Sequence, residues 1–143
     1  MIRKATRFDK TELIEMLNQF GNEFLPEYIQ YFKTETVDKL LTSIISGAGI
    51  AYIEEGKGLI IGAMCPCLYD EKLFVLNEVA WYAKPEFRNT SIGYRLFKTY
   101  IDESNKMIKE KRIIASIMNR LHNSPEIHYE KYGFKKSQES WIK

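Results

Sequence analysis

Apolar residues recur every three to four positions in three stretches of the chain. Between these stretches they alternate or run together. Leu13, Ile14, Met16, Leu17 and Phe20 fall on one face at helical spacing. Asp9 is followed three residues later by Glu12, the arrangement of a capping box, with Phe8 and Leu13 at the positions of a hydrophobic staple. Together these predict a first helix opening at Asp9. Val37, Leu40, Leu41, Ile44 and Ile45 mark a second helix, stopped by Gly47. Leu96, Phe97, Tyr100, Ile101, Met107 and Ile108 mark a third, beginning near Ser91. The aromatic stretch from Gly21 to Lys33 holds Phe24, Tyr28, Tyr31 and Phe32 without a period, and helix and loop both stay open for it.

The intervening stretches read as strands. Ile2 to Thr6 is a short one. Ile50 to Glu54, a glycine turn through Glu55-Gly56-Lys57-Gly58, and Leu59 to Met64 form a hairpin. A connection around Tyr69 to Lys72 leads to a third strand, Leu73 to Ala83, ended by Pro85. These three strands predict an antiparallel meander. Ile113 to Met118 is almost continuously apolar, as expected of a strand buried on both faces. Ser124-Pro125 has the form of a helix start, Gly133 that of a stop, and Phe134 is placed for the accompanying apolar contact. The tail to Lys143 is read as a last strand. The order β-α-α-β-β-β-α-β-α-β predicts a mixed α/β fold, a mostly antiparallel sheet flanked by helices.

At 143 residues, 45% hydrophobic and 28% charged, the chain has the size and composition of one ordered domain spanning residues 1–143. No repeat or linker-like tract divides it. The formal net charge is +2 with scattered basic residues, so no nucleic acid is expected as partner. No apolar run approaches the roughly 20 residues of a membrane span, and the N-terminal residues lack a signal peptide's apolar core. A cytoplasmic protein without a membrane partner is expected. Cys65 and Cys67 are separated only by Pro66, so neighbours in a strand would point to opposite faces and not pair. No second Cys or His pair stands at ligand spacing, and no metal is expected.

The junction Arg88-Asn89-Thr90-Ser91-Ile92-Gly93 joins the third meander strand to the third helix. A helix N-terminus presents unpaired N–H groups and the positive end of a dipole, a site for anions. Gly93 removes the side chain where a phosphate approaches the backbone, and Arg88 adds a positive charge. A Walker-type loop is excluded, since it requires Gly-Lys-[Ser/Thr] and Gly93 is followed by Tyr94.

The stretch from Glu78-Val79-Ala80-Trp81-Tyr82-Ala83 through Pro85-Glu86-Phe87-Arg88 to Gly93-Tyr94 resembles motif A of the GNAT N-acetyltransferase superfamily. There a strand leads through a Pro-x-aromatic element and [Arg/Gln]-x-x-Gly-x-[Gly/Ala] into a helix. Asn123 with Tyr129-Glu130-Lys131-Tyr132-Gly133-Phe134 resembles motif B, and Ile2-Arg3-Lys4-Ala5-Thr6 is similar to the first strand of many members. Glu-Val-Ala-Trp-Tyr before the proline is similar to a branch of phage-encoded members, where a glutamate often stands at this place. Ser91 departs from the pattern, replacing the first loop glycine. Its amide stays available, and its hydroxyl is placed to bond a phosphate oxygen or cap the helix.

The resemblance implies transfer of an acetyl group from acetyl-CoA, without a metal, to a primary amine of a small molecule or protein. Asn89, Thr90, Ser91, Ile92, Gly93 and Tyr94 would hold the pyrophosphate, with Arg88 beside them. The backbone of Trp81, Tyr82 and Ala83 would take the pantetheine arm and stabilise the oxyanion. Asn123 would contact the cofactor or cap the last helix. Tyr129 is the candidate acid for the departing thiolate. A free lysine is neutral in about one molecule in 2,500 at pH 7, so the acceptor must lose a proton. Glu78, a carboxylate among Val75, Leu76, Val79 and Trp81, is the candidate base, ahead of His122. The other reading is a catalytically silent member used as a CoA-binding or interaction module. The short tail after Phe134 also leaves room for a homodimer that completes the sheet edge.

Overall fold

The computed structural model describes residues 1–121 and 124–143. Five strands form one sheet in the order β1-β2-β3-β4-β5: Arg3–Lys4, Gly49–Glu54, Gly58–Cys67, Asp70–Ala83 and Ala115–Ile117. The first four are mutually antiparallel and β5 runs parallel to β4. Helices α1 (Lys10–Phe24) and α2 (Thr34–Ser43) cover one face, and α3 (Ile92–Lys109) covers the other. The expected mixed fold and the antiparallel meander are both present.

Each face has its own apolar core. Leu13, Met16 and Phe20 of α1 and Leu41 of α2 pack on Ile53, Leu59, Ile61 and Tyr82. Ile92, Leu96, Tyr100 and Met107 of α3 pack on Tyr52, Ile60 and Leu76. Successive residues Leu59, Ile60 and Ile61 alternate between these cores, as the pleat of a strand buried on both sides requires.

The local signals fare unevenly. Gly47 does stop the second helix: α2 widens through a π-type turn at Ile44–Ala48, and Gly47 adopts φ +123°. The first helix is capped otherwise than expected. Thr6, not Asp9, is the capping residue, and the Asp9 carboxylate accepts from the Thr6 amide at 2.7 Å and from both Arg3 guanidinium nitrogens at 2.8 Å. Glu12 reaches instead to the Gly56 amide across the hairpin. Phe8 is exposed beneath the Arg7 guanidinium, so no staple forms.

Strand β1 covers only Arg3–Lys4, and β3 and β4 extend towards each other until only Leu68 and Tyr69 separate them. Strand β5 is three half-buried residues, shorter and more open than the apolar run implies, with Ile114 half exposed. No helix starts at Ser124, whose hydroxyl donates to the Leu121 carbonyl. One 3-10 turn forms at Tyr129–Tyr132, closed by Gly133 at φ +87°. The tail after Phe134 forms no strand among the described residues. The expected closing helix and strand are thus a single turn and an irregular tail, in which every residue after Phe134 is exposed.

Candidate active site

Strand β4 carries the features that build the site. Its register with β3 shifts between Ile61↔Ala80 and Gly62↔Glu78, leaving Val79 as an extra residue. Such a bulge rotates the strand and re-aims its side chains. Leu76 lies in the α3-side core, whereas Ala80 and Tyr82, at the same parity, lie in the α1-side core. Glu78 stands at this switch of faces.

The same strand then loses its neighbour. Parallel pairing of β4 with β5 covers only Val75↔Ala115, Leu76↔Ser116 and Asn77↔Ile117. Beyond it the strands part, and Asn119 sits in the fork. Its side-chain amide donates to Asn77 Oδ1 at 3.0 Å and to the Glu78 carbonyl at 2.8 Å. Past the fork, no strand among the described residues pairs with this edge of β4. The Lys84 amide bonds the Lys57 carbonyl, which fixes the ladder's phase and commits Tyr82 and Ala80 to β3. The amides and carbonyls of Trp81 and Ala83 therefore face the gap. Of the three backbone positions expected to offer hydrogen bonds, Tyr82 offers a side chain instead.

A cavity of about 450 Å³ opens at the gap. Glu78, Trp81, Tyr82 and Ala83 line it from β4, and Arg88, Thr90, Gly93 and Tyr94 from the loop and α3. Tyr129 and Tyr132 close it from the 3-10 turn. Nine residues singled out in the sequence thus surround one space. Asn89, Ser91 and Ile92 do not line it, and Ile92 is wholly buried in the α3-side core. Asn123 and His122 lie outside the described residues.

Glu78 is buried, and burial pushes its carboxyl up to about 7, opposed by a long bond from the Asn119 amide at 3.4 Å. Burial, and then the Glu78 charge, pushes the Tyr129 phenol up to about 12. Tyr129 and Tyr132 both set their rings edge-on to Phe97, at 5.9 and 5.0 Å between centroids, and Phe97 stacks on Trp81 at 5.0 Å. Tyr129 is therefore at once a packing residue and a hydroxyl at the cavity. Among the described residues no group of His, Cys, Asp and Glu side chains is placed to hold a metal, and Cys65 and Cys67 are free thiols.

The loop differs from expectation in its side chains. The Arg88 guanidinium is paired with Glu23 at 2.5 Å, lies over the Phe24 and Tyr82 rings, and donates to the Ala83 carbonyl at 2.9 Å. It ties the end of α1 to the end of β4 instead of standing as an isolated charge. Ser91 does not cap α3; its hydroxyl accepts from Arg95, and Thr90 Oγ1 accepts from the Ile92 amide at 3.4 Å. The amides of Ser91, Gly93 and Tyr94 have no acceptor among the described residues. A β-carbon at Gly93 would meet nothing within 4 Å, so no protein neighbour requires glycine there.

Sequence reasoning missed Phe97 and Asn119 as site residues. Phe97 was visible only as a core position of α3, one turn after Gly93. Asn119 follows the last apolar strand residues, but its role appears only once the strands are seen to separate.

No family model matches the chain, and no curated protein sequence does. Solved structures match over its whole length. A possible acetyltransferase from Clostridium difficile 630 superposes with a TM-score of 0.71 at 13% identity, covering 100% of this chain and 95% of that one. A predicted acetyltransferase with acetyl-CoA from Clostridium acetobutylicum gives 0.68 at 16% identity, covering 100% and 94%. Glucosamine-6-phosphate N-acetyltransferase from Arabidopsis thaliana gives 0.66 at 17% identity, covering 100% and 96%. At such identities the likeness concerns the fold alone, and the fold is the one these acetyltransferase structures share.

Proposed function

We propose that this protein is an N-acetyltransferase that moves an acetyl group from acetyl-CoA to a primary amine. The observation that carries the reading is the meeting of Glu78 and Tyr129 at one cavity, where β4 and β5 separate beside the start of α3. The residues fit the cosubstrate. The free amides at Ser91, Gly93 and Tyr94 and the open space at Gly93 suit a pyrophosphate. The exposed edge of Trp81 and Ala83 suits an amide-bearing arm laid down as an extra strand. The Ala83 carbonyl already accepts from Arg88, so this arm would bond chiefly to Trp81 and the Ala83 amide.

Acetyl-CoA supplies an activated acyl carbon and a thiolate leaving group. Glu78, with a carboxyl near 7, is matched to accept a proton from the acceptor nitrogen at neutral pH. Tyr129 holds a proton for the sulfur. With Glu78 ionised, a phenol near 12 is a reluctant donor to a thiolate whose conjugate thiol has a pKa of about 8.5. Once Glu78 is protonated, the charge that helps to raise the phenol is gone, and Tyr129 becomes more acidic when it must donate.

The test is a thiol-release assay with acetyl-CoA across a panel of amines, run beside calorimetric titration with acetyl-CoA. Binding together with amine-dependent thiol release is expected. Absence of binding at millimolar acetyl-CoA would overturn the reading. Binding with no turnover on any small amine or peptide would leave a CoA-binding module.

A further inference from the structure

The aromatic stretch after α1, whose structure the sequence leaves open, resolves into two parts with different surroundings. Phe24 ends α1 and Leu25 follows it, and both line the cavity. Tyr28 and Tyr31 point outwards and are exposed. The chain turns sharply because Gly21 has no side chain: a β-carbon there would stand 2.5 Å from Ile29 Cδ1. Ile29 thereby packs on α1, and the Leu25 and Ile29 amides bond back to Gly21 and Leu25. This fold-back holds Phe24 and Leu25 over the cavity's α1 side.

That side is apolar. Phe20, Phe24, Leu25, Val79, Leu121 and Ile127 contribute to it. Among the described residues, Glu78 at the fork is the one carboxylate that lines the cavity, and Glu23 is paired with Arg88 at its rim. Resting on the acetyltransferase reading, which assigns the α3 side to the acyl donor, the acceptor must enter from the α1 side with its nitrogen directed at Glu78. Each hydroxyl or second ammonium it carried would leave water against a wall whose described polar side chains, Asn119 and Ser124, already donate to Asn77, Glu78 and Leu121. An unpaired buried polar group costs about 1 to 3 kcal/mol, roughly five- to 150-fold in binding.

We propose that the acceptor is a primary amine on an aromatic or branched apolar body, an arylalkylamine-like compound, seated between Phe24 and Leu121 with its nitrogen at Glu78. In the transfer, the neutral amine forms a C–N bond to the acyl carbon as the C–S bond breaks. The nitrogen's proton goes to Glu78 and the Tyr129 proton to the departing sulfur. The products are an amide and CoA thiol, and solvent restores both side chains.

The experiment compares phenethylamine and tryptamine with spermidine and glucosamine at fixed acetyl-CoA, reading kcat/KM by thiol release. Amine binding is also read directly by calorimetry in the presence of desulfo-CoA. Expected is a preference of at least about a hundredfold for the arylalkylamines. Leu121→Asp should cut it at least tenfold, and Phe24→Ala should raise KM with little change in kcat. Turnover that favours spermidine or glucosamine would overturn the substrate class while leaving the acetyltransferase intact. Desulfo-CoA binding without detectable binding or turnover of the arylalkylamines would also overturn it. Failure of desulfo-CoA itself to bind would instead sink the acetyltransferase reading, and this inference with it. Circular dichroism of both variants keeps misfolding apart from lost recognition.

Discussion

Tyr100 of α3 places its hydroxyl where a side chain on Gly62 of β3 would stand: a β-carbon built on Gly62 would lie 2.3 Å from Oη. Gly62 is also the residue paired with Glu78 across the β3–β4 ladder. The glycine thus lets a bulky phenol press on the sheet opposite the buried carboxylate. The hydroxyl itself has no partner among the described residues, and burial followed by the Glu78 charge pushes its titration upward.

Gly62→Ala is therefore expected to destabilise the fold by about 1 to 3 kcal/mol, since the ring atoms of Tyr100 must also shift. Tyr100→Phe removes an unsatisfied buried hydroxyl and is expected to gain about 1 kcal/mol. Urea unfolding of the two single variants and their double checks both. Because the residues touch, Tyr100→Phe should recover part of the loss in the Gly62→Ala background. An additive double variant would contradict the contact.

Glu78 makes stability depend on pH. Its carboxyl titrates near the ordinary 4.5 when unfolded and near 7 when folded. The folded state therefore holds this proton more tightly. The contribution is fully present below pH 4.5, falls as pH rises, and is exhausted once pH passes 7. The shift corresponds to about 3 kcal/mol. Groups such as Asp9, held down to about 2 by Arg3, slope the other way but only at lower pH. The difference in unfolding free energy between wild type and Glu78→Gln isolates the effect. Relative to pH 4, wild type should lose about 3 kcal/mol more than the variant by pH 8. A flat difference would show that Glu78 titrates normally.

The loop prediction concerns Gly93. Because nothing lies within 4 Å of its absent side chain, Gly93→Ala and Gly93→Asp should both fold. Glycine is helix-weakening, so the alanine variant should be as stable as wild type or up to about 1 kcal/mol more stable. On the proposed reading, Gly93→Asp should abolish acetyl-CoA binding in calorimetry by placing a carboxylate where the phosphates would sit. Unimpaired binding by the aspartate variant would remove the phosphate cradle from this loop.

The layers of this molecule were legible wherever one residue's burial depends on its near neighbours. The amphipathic faces of α1, α2 and α3 follow from apolar spacing, and the β2–β3 hairpin from two apolar runs joined by a glycine turn. The capping signal at Asp9 failed because Arg3, six residues earlier, claims the carboxylate through tertiary contact. The Ser124-Pro125 signal failed because the Ser124 hydroxyl bonds back to the Leu121 carbonyl instead of capping the residues that follow. At the site, Glu78 was findable as a charge in an apolar strand, and Tyr129 only through the family resemblance. The bulge at Val79 depends on the neighbouring strand, and the fork at Asn119 and the Arg88–Glu23 pair on partners 40 or more residues away, so no local pattern announces them.

Tyr129 and Glu78 also predict the form of the pH–rate profile. If Glu78 accepts the acceptor's proton, kcat/KM should rise with an apparent pKa near 7 for an acceptor whose own ionisation is corrected for. If Tyr129 donates to sulfur with a phenol near 12, no high-pH decline should appear below about pH 10. Tyr129→Phe should lower kcat roughly a hundredfold while leaving the rise near 7 in place. Glu78→Gln should lower kcat/KM by a similar factor and erase that rise. The two losses should also be strongly non-additive, because protonation of Glu78 eases donation by Tyr129 and removing either breaks the same exchange. The profile of the double variant decides it: a rate equal to the product of the single losses would mean that the two groups act independently.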